Sequence, residues 1–245
     1  MKRIKNLEIL KNAFILYKNN FSKLIIFSLF ITITTFSTSL YTIILNTEEK
    51  QQSLMPLMLL MMIFIIFFFI LLIKASLAIQ IYIVNAKNNA NLTIKESFAK
   101  IREKSWRYFG NMMLASLFLI PVLGITNYFN SINNPYYFFI SIPYTCLIFP
   151  LYFLLEPVMA LEEKDTLKLK KTIMIIKGNY FRILVLVLVT QIIWTIPNIV
   201  AQALLKGNSF AILLIAILNS IILIFTNSFL CVVKGILYQQ LTTNK

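Results

Sequence analysis

Apolar positions along this chain collect into six long runs, at roughly 24–45, 54–84, 108–127, 136–160, 183–205 and 210–238. The plainest is "LMPLMLLMMIFIIFFFILLI" at 54–73, which is apolar on every side. A helix of about 20 such residues crosses a hydrocarbon core about 30 Å thick. The runs are separated by short polar or turn-forming stretches: "NTEEKQQS", "NAKNNANLT", "NYFNSINNP", "LEEKDTLK" and "KGNS". The pattern predicts six transmembrane helices. The second and sixth runs exceed the length needed, so those helices tilt or project beyond the bilayer.

A second pattern lies just outside the odd-numbered runs. "LKNAFILYKNNFSK" at 10–23 aligns with "IKESFAKIREKSWR" at 94–107 and with "LKKTIMIIKGNYFR" at 169–182. Apolar residues agree at Leu10, Phe14, Tyr17 and Phe21, at Ile94, Phe98 and Ile101 with Ser105 as the exception, and at Leu169, Ile173, Ile176 and Tyr180. Steps of four, three and four mark one face of a helix. Basic residues agree as well: Lys11, Lys18 and Lys23; Lys95, Arg102 and Arg107; Lys170, Lys177 and Arg182. The expected architecture is an all-α integral membrane protein. Its six transmembrane helices form three repeats, each an amphipathic interfacial helix followed by a transmembrane hairpin. The chain reads as one membrane domain over 1–245, with units of approximately 1–86, 87–161 and 162–245. Units with an even number of spans all share one orientation.

Charge then sets that orientation. Residues 1–23, 85–107 and 161–182 hold six Lys or Arg each, whereas the opposite loops hold only Lys50 and Lys206. The positive-inside rule places the protein in the cell membrane with both termini cytoplasmic. The net charge of +14 is therefore a topology signal. It does not indicate nucleic-acid binding, because the basic residues flank lipid-embedded helices. The nine repeated Lys and Arg are candidates for contact with anionic lipid headgroups, each worth about 1 kcal/mol near the surface. The basic start of the chain is not followed by a short apolar segment with a small-residue cleavage site, so the first run is expected to remain as a span.

Composition narrows the chemistry. The chain is 59% hydrophobic and 13% charged, against about 45–50% and 25% in soluble domains. It has no histidine, which removes imidazole ligands, catalytic triads and histidine proton relays. Cys146 and Cys231 stand alone in apolar runs and read as small buried hydrophobes. No metal site or cofactor is expected. The "NLT" beginning at Asn91 fits a glycosylation pattern but falls on the cytoplasmic side.

The stretch "LLEPVMALEEKDTLKLKKTIMIIKGNYFRILVLVLV" resembles the hallmark segment of the bacterial glycerophosphoryl diester phosphodiesterase membrane-domain family. There an acidic residue ends one span, a short linker follows, and a "K-x-x-K-G-N-aromatic-aromatic-R" entry leads into the next. "LKNAFILYKNNFSKLI" is similar to the family's opening segment, and in pattern the resemblance covers most of the chain. It implies a stand-alone membrane domain. Phosphodiesterase chemistry in fused members belongs to a separate soluble catalytic domain.

Ionisable groups inside spans are costly and mark candidate sites. Three occur: Lys74, Glu156 and Lys234. The lysines can snorkel to the interface. Glu156 is shorter, so a buried partner is expected for it, Lys74 or Lys234. Polar stripes run along the fifth span (Gln191, Thr195, Asn198, Gln202) and the sixth (Ser220, Asn227, Lys234). They face other helices, as interhelical glue or as a solute path. The expected function is that of a non-enzymatic multi-pass membrane protein: a scaffold, a membrane-stress or immunity factor, or the partner of a membrane complex. The alternative is a transporter or permease subunit with a polar path between helices, for which Pro197 offers the best helix break. An enzyme is not expected, since Glu156 lacks a second acid, a nucleophile or a metal cluster. The expected partners are the lipid bilayer, anionic lipids above all, and a second membrane protein.

Overall fold

A computed structural model describes residues 6–30, 32, 55–88, 90, 92–102, 104–117, 120–121, 124, 137–162, 168–190, 192 and 209–243. Among these, nine α-helices form and no strand. In chain order they are α1 (Asn6–Asn19), α2 (Phe21–Phe30), α3 (Met55–Lys87), α4 (Ile94–Lys100), α5 (Lys104–Ser116), α6 (Tyr137–Leu161), α7 (Lys168–Lys177), α8 (Tyr180–Thr190) and α9 (Ser209–Thr243). The three long helices, α3, α6 and α9, coincide with the second, fourth and sixth apolar runs. With 33 and 35 residues, α3 and α9 each rise about 50 Å at about 1.5 Å per residue, more than one bilayer core.

Two described helices are long and apolar enough to cross a membrane, over Phe69–Lys87 and Ser220–Thr242. A third span is formed by α7 and α8 if that pair, bent by 100°, crosses as one. The remainder of the first run beyond residue 32, and of the fifth beyond 192, lies outside the described residues, as do Gln191, Thr195, Asn198 and Gln202.

The repeated basic stretches differ from the sequence reading in one respect. Each stretch is expected to be one amphipathic helix ahead of its span, but each breaks within the stretch itself. The breaks fall at closely corresponding places: Asn20 between α1 and α2, Ile101–Arg102 between α4 and α5, and Gly178–Asn179 between α7 and α8. The local cause is visible in the first and third elbows. Asn20 Nδ2 donates to Leu16 O at 3.1 Å, and Asn179 Nδ2 donates to Ile175 O at 3.2 Å. In both, the asparagine's own carbonyl accepts the first bond of the next helix, from Leu24 N and Ile183 N at 3.0 Å. One residue closes the old helix and opens the new one. The middle elbow has Lys104 at this position, and there the Thr93–Glu96 capping box defines the start of α4 instead.

The side turned toward the bundle is set by small residues. Ala13, Ser97 and Thr172, at equivalent positions, are fully buried, while Phe14 is 59% and Ile173 46% exposed. Small side chains let the elbow helices approach the bundle closely, and the larger ones are left facing outward. Phe98 differs from its counterparts, being half-buried with its ring stacked 5.6 Å from Phe27. The span-entry positions Leu24, Tyr108 and Ile183 are likewise all buried.

The core sits where α3, α6 and α9 converge, with Leu77, Ile79, Leu154, Leu155, Met159, Val233 and Leu237 among its most buried members. Gly235 sets the approach of α9 to α3: a Cβ there would lie 2.9 Å from Ile83 Cγ2 and 3.0 Å from Gln80 Oε1. Close approach at small residues is how helices associate when lipid removes the hydrophobic drive between them. Helix α6 carries Pro143, Pro150 and Pro157 at intervals of seven. Proline at 150 removes the bond that the Cys146 carbonyl would accept, and the Tyr180 hydroxyl supplies it from α8 at 3.2 Å.

Candidate functional site

Glu156 on α6 and Lys234 on α9 meet within the bundle. Lys234 Nζ donates to Glu156 Oε2 at 2.6 Å, with the side chains 18% (lysine) and 14% (glutamate) exposed. The ammonium also lies 5.6 Å from the centre of the Phe153 ring, a favourable cation–π distance. Of the two expected partners, Lys234 is therefore the one that binds Glu156. Lys74 is half-buried on α3 and makes no ion pair among the described residues.

Beside the pair is an open cavity of about 520 Å³, within the range of small-molecule sites. Helix α5 contributes Tyr108, α6 contributes Tyr152 and Phe153, α8 contributes Thr190, and α9 contributes Asn227. The Tyr152 hydroxyl is buried and lacks a hydrogen-bond partner among the described residues. The Thr190 hydroxyl is satisfied by Val187 O at 2.9 Å. Asn227 and Lys234, expected on one stripe of the sixth span, do share this cavity; Ser220, the stripe's first member, is half-buried two turns earlier on α9.

Gln80 is a member of this polar group that the sequence reading missed. It is fully buried on α3 and donates from Nε2 to Cys231 O on α9 at 3.3 Å. It also abuts Gly235, the residue after Lys234 on α9. The signal was available, since Gln80 interrupts the apolar run "LAIQIYIV".

A second cluster closes the C-terminal end of α6. The Glu162 carboxylate pairs with Lys171 and accepts from the Tyr238 hydroxyl. Lys168 Nζ donates to Glu162 O at 3.1 Å, and Lys104 Nζ donates to Ala160 O at 2.8 Å. Three lysines from two connecting segments thus gather at a helix C-terminus, where unsatisfied carbonyls favour cations. Burial opposes the charge on Glu162, but the bonds from Lys171 and Tyr238 outweigh it and hold its carboxyl below the ordinary value. Nothing in "LEEKDTLK" distinguishes Glu162 from a solvated loop acid; its partner Tyr238 is 76 residues away.

Eight of the nine headgroup candidates, Lys11, Lys18, Lys23, Lys95, Arg102, Arg107, Lys170 and Lys177, are exposed. Arg182 departs from that expectation. Its Nε donates to Asn6 Oδ1 at 3.2 Å and its Nη2 to Gln240 Oε1 at 3.4 Å, while Asn6 Nδ2 donates to Arg182 O at 3.4 Å. It joins α1, α8 and α9 because its backbone lies at the third elbow, within reach of both neighbouring helices. No group of three or more metal-ligating side chains occurs among the described residues. Comparison with protein-family models, with curated proteins and with solved structures finds no match for this chain.

Proposed function

We propose that the chain is a non-enzymatic, six-span protein of the cell membrane, built from three repeated units, with both termini cytoplasmic. It acts as a scaffold or partner subunit held against anionic lipid by its basic elbows. The observation that carries this reading is the set of three broken helices, each presenting exposed lysines or arginines beside exposed apolar side chains such as Phe14, Trp106, Ile173 and Phe181. A helix with that combination lies in the headgroup region, apolar side inward to lipid and cations toward phosphate. The repeated unit is supported by the closely corresponding breaks, by the shared asparagine bonds and by the burial of Ala13, Ser97 and Thr172. The resemblance to the glycerophosphoryl diester phosphodiesterase membrane-domain family accords with this role.

Reporter fusions test the topology. Fusions at Glu49 and Ser209 report outside, and fusions at Asn89 and Asp165 report inside; a cytoplasmic signal at Glu49 refutes six spans. Co-purification from native membranes tests the role. Enrichment of phosphatidylglycerol or cardiolipin together with a stoichiometric membrane protein supports it, and a purified protein that takes up solute alone in vesicles refutes it.

One observation favours a transporter subunit as the second reading. The cavity beside Glu156 and Lys234 combines an ion pair, the unpartnered Tyr152 hydroxyl and Asn227 with aromatic walls. Such a lining suits a small polar or zwitterionic solute. Solute flux in vesicles that disappears in a Glu156→Gln, Lys234→Met double variant of unchanged stability would establish this reading over the first.

A further inference from the structure

The first elbow borders a second cavity, of about 530 Å³, between α1, the start of α2, the end of α3 and the segment leading to α4. Its polar half is formed by Asn12, Asn19, Lys23 and Lys87. Asn12 and Asn19 are seven residues apart and so share one side of α1. Both are exposed, and neither amide makes a hydrogen bond among the described residues. Lys23 and Lys87 are exposed and make no ion pair among the described residues, and no carboxylate lines the cavity. The wall between them is fixed. Tyr82 donates from its hydroxyl to Asn20 Oδ1 at 2.9 Å, Asn20 in turn donates to Leu16 O, and the Lys23 ammonium lies 5.8 Å from the centre of the Tyr82 ring. The opposite half is apolar, with Ile15 and Leu92.

We propose that this groove binds the phosphate of an anionic phospholipid, with Lys23 and Lys87 as counter-charges, Asn12 and Asn19 as hydrogen-bond donors and the apolar half against the glycerol and first acyl carbons. Two cations with no acid select an anion, and amide donors beside them suit phosphate oxygens. A free phosphate would leave the apolar half of the groove uncovered, which points to lipid as the source. The site rests on the membrane-held reading above and narrows it from a diffuse attraction to one place.

The test uses the full chain in nanodiscs of zwitterionic phosphatidylcholine, titrated with short-chain dioctanoyl phosphatidylglycerol at physiological salt. Lys23→Gln with Lys87→Gln is expected to weaken binding about tenfold or more, given about 1 kcal/mol for each surface charge. Lys100→Gln with Lys170→Gln removes equal charge outside the groove and is expected to cost about twofold or less, since screening acts within a Debye length. If the lysine variant does not fold, Asn12→Ala with Asn19→Ala, at exposed positions, is expected to weaken binding about threefold or more while melting as the parent does. Equal losses in the two charge-removal pairs overturn the groove but leave the headgroup reading intact. Absence of any preference for anionic lipid in the parent overturns both. Glycerol 3-phosphate binding as tightly as the dioctanoyl lipid overturns the lipid as ligand.

Discussion

Replacing Glu156 by alanine strips Lys234 of the only carboxylate partner it has among the described residues. At 2.6 Å two unit charges attract by about 6 kcal/mol at an effective dielectric constant of about 20. Part of that gain only offsets the cost of taking Glu156 out of water, several kcal/mol per buried ion. The net loss on breaking such a pair is about 3–5 kcal/mol, because the surviving charge remains buried. The cavity beside Lys234 admits water and pulls the figure toward the lower end, so the expected loss is about 3 kcal/mol, or a fall in melting temperature of roughly 10 °C. Removing both charges behaves differently. A Glu156→Leu, Lys234→Met double variant is expected to melt within about 1 kcal/mol of the parent, since apolar replacement of a buried pair is close to neutral. Lys74→Ala is the control and is expected to change little. Thermal melts in detergent and in lipid nanodiscs measure all four proteins. A Glu156→Ala protein that melts like the parent, or a double variant no more stable than the single one, refutes the buried-pair reasoning.

Gly235→Leu places side-chain atoms where even a Cβ lies 2.9 Å from Ile83; separation of α3 from α9 is expected to cost about 1–3 kcal/mol by the same melts. Asn20→Ala and Asn179→Ala each remove a bond closing one helix and are expected to cost about 1 kcal/mol and to raise amide exchange at the following two turns. Glu162→Gln has a pH signature. The Glu162 carboxyl titrates below its ordinary 4.5, so its contribution is complete above that pH and is lost as pH falls through the lowered value. The melting difference between parent and Glu162→Gln is therefore expected to be constant from neutral pH down to about 5 and to shrink below 4.5; a difference that grows on acidification refutes the assignment. Tyr180→Phe leaves the Cys146 carbonyl unsatisfied beside Pro150 and is expected to cost about 1–3 kcal/mol.

The long helices were legible because each coincides with a continuous apolar run, and two of them, α3 and α9, hold stretches long and apolar enough to cross a membrane. The elbows were legible as basic and amphipathic but not as broken. Asn20 and Asn179 read as ordinary polar residues of a helix face until the carbonyls four residues earlier are seen to accept their amides. Which side of these helices meets the bundle was not legible, for a related reason. Apolar residues surround most of α1, and period alone does not say whether Ala13 or Phe14 turns inward; the demand for close approach selects the smaller. At the candidate site, Glu156 announced itself by charge, yet the choice between Lys74 and Lys234 depends on helix rotation, which sequence spacing leaves open. Gln80 was readable by the same rule as Lys74. Tyr108 and Tyr152 carried no signal, being aromatic residues in apolar surroundings.

The separation of Glu156 from Lys234 has a consequence in time. The two residues are 78 positions apart, and at about 5–20 residues per second of synthesis the lysine emerges roughly 4–16 s after the glutamate. For that interval the acid on α6 lacks the cation it pairs with in the folded protein. The nascent protein must hold it at the lipid–water boundary or shelter it in the insertion machinery, and α9 draws it inward on arrival. Chains halted before residue 234 are accordingly expected to leave α6 unsettled, and membrane quality-control proteases would find them there.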